Sequence, residues 1–105
     1  MVMADLEFYR DEDGNACARG RDDRLATFLQ TDLQDSASIT SDLIATLKSD
    51  QTHAEFNGNA HSVSITPETV VIDSNFDDEM PDRRLARTEL VDHLEAWLKF
   101  INTPV

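Results

Sequence analysis

The side chains of this chain that could do chemistry begin with an acidic run near the N-terminus. Asp11, Glu12 and Asp13 stand immediately before Gly14, which invites comparison with a calcium-binding loop. Such a loop needs oxygen ligands at alternating positions, a glycine at the sixth position and a glutamate at the twelfth. Here Gly14 is the fourth residue of the run and the twelfth is Asp22. The Asp-Gly pair instead predicts a solvated hairpin turn, because glycine readily adopts the positive φ angles of tight turns.

The histidines and the cysteine do not have the spacing of a metal site. His53, His61 and His93 are scattered, and Cys17 is the single cysteine. A zinc site needs several such ligands, usually from closely spaced pairs. We therefore expect no metal site, and surface or sheet-edge positions for the histidines. One cysteine cannot form an intramolecular disulfide, so Cys17 is expected as a reduced, small apolar residue of a strand.

Motifs typical of enzymes are missing from the sequence. Ser62 and Ser64 do not lie in a Gly-x-Ser-x-Gly elbow, and three glycines in the chain leave no glycine-rich phosphate loop. With 21 carboxylates to choose from, no pair stands out as a general acid and base. The sequence predicts no catalytic residue and no cofactor, and therefore a protein that is not an enzyme.

The charge of the chain is its strongest functional signal. There are 21 Asp and Glu against 9 Lys and Arg, a formal net charge of -12 on 105 residues. A surface of this sign repels nucleic acid and anionic membranes and attracts basic proteins at the encounter stage. Arg83, Arg84 and Arg87 form the one basic cluster in the sequence, and we expect them to neutralise the acidic loop before them.

That loop, residues 73–82, is the first candidate for a partner-binding site. It sets acidic groups around the apolar Phe76 and Met80, and apolar anchors with charged surroundings are typical of protein interfaces. The predicted contact residues are Phe76, Asp77, Asp78, Glu79 and Asp82, with Asp11, Glu12 and Asp13 as a second acidic candidate. A merely solvated loop, or adventitious metal binding by Asp77, Asp78 and Glu79, is an alternative.

Hydrophobic periodicity predicts the elements that position these side chains. A β-hairpin is expected over residues 6–19, and a three-stranded meander over residues 51–73, with an Asn-Gly turn at Asn57 and Gly58. Residues 74–84 are predicted to be a loop. Three helices follow from apolar residues at helical spacing: Leu25, Phe28, Leu29 and Leu33; Ile39, Leu43, Ile44 and Leu47; and, from Thr88 onward, Leu90, Leu94, Trp97, Leu98 and Ile101.

The resulting order is β-β-α-α-β-β-β-α. Strands and helices lie in separate runs, which predicts an α+β domain with an antiparallel sheet and about three helices packed on it. A length of 105 residues predicts a single domain over residues 1–105. The N-terminus lacks the pattern of a signal peptide and no apolar run is long enough to span a bilayer, so a cytoplasmic location is expected.

The layout resembles small bacterial immunity proteins of the CdiI type, from contact-dependent growth inhibition systems, and also the uncharacterised YacL-like proteins. The resemblance is carried by Leu6–Asp11, Leu25–Asp32, Leu43–Lys48, Phe56–Asn59 and Leu94–Ile101. It implies a protein that binds the catalytic domain of a toxin and blocks its active site or an exosite. Many such toxins are nucleases with basic substrate clefts, so an acidic inhibitor is a physical solution. The families share no catalytic residues that could be carried over to this chain.

Three functions remain open at this point. The first is an immunity protein, a monomer or weak dimer, that neutralises a basic toxin domain, with a nuclease preferred. The second is a YacL-like acidic adaptor or regulator whose protein partner is not a toxin. The third is a small enzyme, which would need an enclosed pocket with convergent titratable groups.

Overall fold

Three helices and two antiparallel sheets make up the fold in the computed structural model, which describes residues 2–3, 6–21, 23–75 and 82–102. The strands are β1 (Val2–Met3), β2 (Leu6–Arg10), β3 (Ala16–Gly20), β4 (Ala54–Asn57), β5 (His61–Ile65), β6 (Thr69–Ser74) and β7 (Arg83–Ala86). The helices are α1 (Asp23–Phe28), α2 (Ala37–Lys48) and α3 (Arg87–Ile101). The predicted α+β class with three helices is confirmed.

The N-terminal sheet has the order β1-β2-β3 and contains the predicted hairpin. In the β2–β3 pair, Phe8 lies opposite Ala18, and both side chains are buried. The connecting turn holds Gly14 at φ +85°, a conformation that favours glycine, as the Asp-Gly pair predicted. The hairpin turn therefore projects its acidic residues into solvent at one end of this sheet.

The second sheet has the order β4-β5-β6-β7 and extends the predicted meander by one strand. Along β5, His61, Val63 and Ile65 face the core while Ser64 is exposed, as the alternation predicted for Val63 and Ile65. The prediction of a loop over residues 74–84 is wrong at both ends, since β6 reaches Ser74 and β7 begins at Arg83. In β7 only Leu85 is buried in the core, where it lies opposite Val70. A single buried residue makes no alternating pattern, so the sequence does not predict this short strand.

Helix α1 passes directly into a π-helical turn, Leu29–Leu33. This wider turn places Leu29, Asp32 and Leu33 in the interior. Single π-turns are uncommon and often mark functional positions, because they bring side chains to an angle that a regular helix would not. Here the turn delivers the carboxyl group of Asp32 to the core.

Helix α2 begins after Ser36, whose hydroxyl accepts a hydrogen bond from the Ile39 N–H at 3.2 Å. Its buried face carries Leu43, Ile44 and Leu47, as predicted. Ile39, predicted on the same face, is 40% exposed, and Thr40 is buried in its place. The Thr40 hydroxyl can be buried because it donates to the Ser36 carbonyl at 2.8 Å.

Helix α3 closes the core with Leu90, Leu94 and Trp97, all fully buried. The Trp97 ring meets Phe8 edge-on at 5.1 Å between centroids, which ties α3 to the N-terminal sheet. Its indole N–H donates to the Gln34 carbonyl at 3.0 Å, just after the π-turn. The predicted core role of Trp97 is confirmed. In the described part of the chain, no helix has the length and apolar character needed to cross a membrane.

Candidate functional site

Most of the first predicted contact surface, the loop of residues 73–82, lies outside the described residues. The predicted contact residues that are not described are Phe76, Asp77, Asp78 and Glu79. Asp82 is described and exposed, directly before β7. The second candidate, Asp11 to Asp13, is also exposed, in the turn between β2 and β3. Asp82 therefore adjoins the four-stranded sheet, whereas the hairpin turn belongs to the other sheet.

Within the acidic turn, Asp11 has a structural role. Its Oδ1 accepts hydrogen bonds from the backbone N–H groups of Asp13 and Asn15, both at 2.9 Å, and its Oδ2 lies 3.3 Å from the Asn15 side-chain amide. These bonds lower the pKa of Asp11, and the bond from the Asn15 N–H has the largest effect. Glu12 and Asp13 thus remain as the acidic side chains of this turn that a partner could contact without disturbing it.

The lowered pKa of Asp11 makes the turn sensitive to acid. Because the folded-state pKa lies below the unfolded value of about 3.9, the carboxylate stabilises the turn above that pH, and the stabilisation is lost as pH falls through the folded-state pKa. We expect the Asn15 amide proton signal to titrate with a midpoint below about 3.9 in ¹H–¹⁵N NMR spectra. The Asp11→Asn variant should lose this transition. A midpoint at or above the ordinary aspartate value would contradict the assignment.

Cys17 lies beside the same turn. Burial, together with the nearby Asp11 charge, raises the pKa of its thiol. A raised thiol pKa lowers the fraction of reactive thiolate at neutral pH. The environment therefore makes Cys17 a poor nucleophile and agrees with its prediction as a small strand residue.

The basic residues are largely committed to contacts within the molecule. Arg10, Arg19 and Lys48 form ion pairs with Asp35, Glu7 and Glu95 at 2.7, 2.7 and 3.2 Å. The guanidinium groups of Arg10 and Arg19 also lie over the rings of Phe100 and Tyr9. Arg24 and Arg87 are buried.

The acidic residues, in contrast, are mostly exposed. In the described part of the chain, 13 Asp and Glu residues are exposed, against 5 Lys and Arg residues. The exposed acidic residues are Asp11, Glu12, Asp13, Asp35, Asp42, Asp50, Glu55, Glu68, Asp73, Asp82, Glu89, Asp92 and Glu95. They lie on both sheets, on α2 and on α3, so the negative potential covers much of the molecule.

A groove of about 650 Å³ opens where the end of α2 meets the start of α3. We call it the α2–α3 groove. It is lined by Leu47, Lys48, Ser49, Asp50, Gln51, Thr52, Pro67, Glu68, Arg87, Thr88, Val91 and Asp92. The lining combines apolar side chains with three exposed carboxylates, those of Asp50, Glu68 and Asp92. No sequence pattern predicts this groove, because its lining comes from three separate parts of the chain.

Arg87 holds the lining of the α2–α3 groove together. Its Nε donates to the Leu47 carbonyl at 2.7 Å. The two terminal nitrogens donate to four further carbonyls, those of Gln51, Thr66, Thr46 and Ser49, at 2.8 to 3.2 Å. The Leu47 carbonyl lies in the last turn of α2, where helix carbonyls lack partners within the helix, and a cation is favourable there because of the helix dipole. The expectation that Arg87 helps to neutralise the acidic loop is therefore wrong, because its side chain is buried in these bonds.

A second buried polar centre joins Asp32 to His61. The Asp32 Oδ2 accepts from the backbone N–H groups of Ala60 and His61 at 3.2 and 2.9 Å. Its Oδ1 lies 3.0 Å from His61 Nδ1 and 2.6 Å from the Thr31 hydroxyl. Both Asp32 and His61 are buried, so His61 does not occupy the surface or edge position expected for it. This pair attaches the β4–β5 turn to the π-turn.

Gly58 is required for this attachment. A Cβ atom at position 58 would stand 2.1 Å from Asp32 Oδ2, well inside contact distance. The Asn-Gly sequence was a turn signal, but its glycine also admits the carboxylate of a distant residue. The sequence does carry a clue to Asp32, since it lies seven residues after Leu25 on the apolar stripe of the first helix.

The buried pair does not have the surroundings of a catalytic centre. The Asp32 oxygens are occupied by groups that fix the turn, and the Phe28 ring packs edge-on against the His61 ring at 5.9 Å. Among the described residues there is no group of three or more His, Cys, Asp or Glu that could hold a metal ion. The arrangement is suited to anchoring, whereas the acidic surface and the α2–α3 groove are accessible to a partner.

In comparisons with known proteins, no family model, no curated protein and no solved structure matches this chain.

Proposed function

We propose that this protein acts by binding, as an immunity protein that neutralises a basic toxin domain in the cytoplasm. The preferred toxin is a nuclease, because a cleft that binds nucleic acid is basic. An acidic protein competes for such a cleft by presenting charge of the same sign as the substrate. No catalytic step and no cofactor is part of this proposal.

The exposed negative charge is the observation that supports the proposal. In the described part of the chain, 13 acidic side chains are exposed against 5 basic ones, and two further basic side chains, Arg24 and Arg87, are buried, so the surface keeps a large excess of negative charge. A surface of this kind accelerates association with a cationic partner and rejects partners of like charge. The resemblance to CdiI-type proteins supplies the biological setting, a toxin encoded beside its inhibitor.

The test is binding to the C-terminal domain of a large secreted protein encoded immediately upstream, which the immunity proposal expects. We expect one-to-one binding at nanomolar concentration by calorimetry, loss of the domain's toxic activity in the complex, and protection of cells that express both proteins. Absence of binding at micromolar concentration would overturn the immunity proposal. The acidic adaptor, with a partner that is not a toxin, would then be the function to pursue.

Charge reversal should identify which acidic segment meets the toxin. We expect Asp77→Lys with Asp78→Lys to slow association about tenfold at low salt and to weaken its salt dependence, since electrostatic steering acts mainly on the association rate. Glu12→Lys with Asp13→Lys changes the net charge equally and is the matched control. It leaves Asp11 and its turn bonds in place. Stopped-flow association rates at several salt concentrations provide the measurement, and equal slowing by both pairs would remove the loop as a specific contact.

A further inference from the structure

We propose that the α2–α3 groove receives one long cationic side chain, an arginine or a lysine, from the protein partner. This inference rests on the proposed function and names a contact site for it. The groove is a recess beside the end of α2, whereas the predicted acidic turn is a projection. A recess can enclose a side chain, and enclosed anchors account for most of the binding energy at protein interfaces.

The lining of the α2–α3 groove matches the two halves of such a side chain. Leu47 and Val91 are apolar, and Leu47 is buried while Val91 is partly exposed. Asp50, Glu68 and Asp92 supply exposed carboxylates to the same lining. Arginine and lysine carry a methylene stem below a charged head, so the stem can pack on the apolar part while the head meets the carboxylates.

The charges in the groove disfavour an anionic occupant. All three guanidinium nitrogens of Arg87 donate hydrogen bonds to backbone carbonyls. The group therefore has no free pair of N–H donors with which to bind a phosphate or carboxylate. The Lys48 ammonium lies 3.2 Å from the Glu95 carboxylate. An anion entering the groove would therefore meet three carboxylates, whereas a cation would be attracted by them.

The α2–α3 groove is wide enough and rigid enough to admit a long side chain. Its volume of about 650 Å³ is within the range of small-ligand sites, so an arginine or lysine side chain enters it with room to spare. The bonds of Arg87 fix the end of α2, the segment after it and the β5–β6 turn relative to α3. A lining held in this way needs little ordering when the partner binds, which favours affinity.

A direct test uses N-acetyl-arginine methylamide as the probe, titrated to tens of millimolar into the ¹⁵N-labelled full chain. N-acetyl-citrulline methylamide, which has nearly the same shape without the charge, is the control ligand. We expect saturable shifts of backbone amides around the groove, at Ser49, Gln51, Glu68 and Val91, with arginine and not with citrulline. Shifts spread over all acidic segments, equal shifts with both ligands, or no shifts would overturn the proposal.

A second test uses the toxin domain and two matched triple variants. The groove variant is Asp50→Asn, Glu68→Gln and Asp92→Asn; the control is Asp42→Asn, Glu55→Gln and Asp73→Asn. The control residues are also exposed and lie outside the groove lining, so both variants lose the same charge and the same residue types. We expect the groove variant to bind about tenfold more weakly than the control, mainly through faster dissociation.

The two proposals can fail separately. If the toxin domain binds the native protein and the two triple variants weaken binding equally, the groove proposal is overturned while the proposed function stands. If the toxin domain does not bind the native protein, the proposed function fails, and the arginine titration still decides whether the groove is a cation site.

Discussion

Replacing Asp32 with alanine is expected to lower the free energy of unfolding by about 3–5 kcal/mol, because a fully hydrogen-bonded buried carboxylate would be lost and its donors left unpaired. The backbone N–H groups of Ala60 and His61 and the ring of His61 all depend on this carboxylate. They lie 28 or 29 residues away in sequence, so the loss would detach the β4–β5 turn from the π-turn.

Asp32→Asn is the control that removes the negative charge while keeping the volume of the side chain and groups that can still form its hydrogen bonds. The amide oxygen can still accept from the backbone N–H groups of Ala60 and His61. The amide nitrogen can donate to the His61 ring if that ring adopts the tautomer with an unprotonated Nδ1. It can also donate to the Thr31 hydroxyl, because that hydroxyl can donate in turn to the Thr27 carbonyl 2.6 Å away. We expect a loss of only about 1 kcal/mol for this variant, close to the net value of one hydrogen bond.

Urea unfolding monitored by circular dichroism measures both free energies, and ¹⁵N chemical shifts of the His61 ring report its tautomer. The expected results are a large loss for alanine, a small loss for asparagine and a changed tautomer in the asparagine variant. A loss for Asp32→Ala as small as that for Asp32→Asn would show that no acceptor is needed at position 32 for the turn and would contradict the anchoring role.

Local sequence signals predicted much of the framework. The Asp-Gly and Asn-Gly pairs mark real turns, and the spacing of Leu90, Leu94 and Trp97 identified the buried face of α3. Each of these signals acts within a few residues, where steric limits and side-chain periodicity are strong. Strand β7 has only one buried core residue, Leu85, and it forms through pairing with β6 instead of through a pattern of its own.

The features that organise the candidate site depend on contacts between distant residues. Arg87 was grouped with Arg83 and Arg84 because they are neighbours in sequence, yet its partners begin at Leu47, 40 residues away. His61 was expected at the surface or at a sheet edge because the histidines are scattered without the spacing of a metal site, yet Asp32 lies 3.0 Å from its buried ring. A buried charge can be recognised as anomalous from its position on an apolar stripe, but its partner is set by how the elements pack.

The hydrogen bonds of Arg87 to distant carbonyls should make this residue important for stability. Replacing Arg87 with methionine is expected to lower the free energy of unfolding by about 3–4 kcal/mol, because the hydrogen bonds from its charged guanidinium group are lost and the buried Leu47 bond is among them. Methionine retains a long apolar side chain, so the change removes the guanidinium group while filling much of its volume. The five carbonyls come from the end of α2, the segment after it and Thr66, and we expect these segments to loosen first.

Two further variants distinguish this role from a general loss of positive charge. Arg84→Met removes the same group from an exposed residue of β7 and should change stability by no more than about 0.5 kcal/mol. Arg87→Lys keeps the charge but offers one ammonium in place of the planar fork, so about half of the loss should remain. Urea unfolding gives the free energies, and hydrogen exchange at the end of α2 shows where the structure opens. If Arg87→Met and Arg84→Met were equally stable, the carbonyl bonds would not be what holds α2 to α3.

If Arg87→Met is much less stable than Arg84→Met, the lining of the α2–α3 groove depends on Arg87. The arginine probe should then lose its saturable shifts in Arg87→Met while keeping them in Arg84→Met.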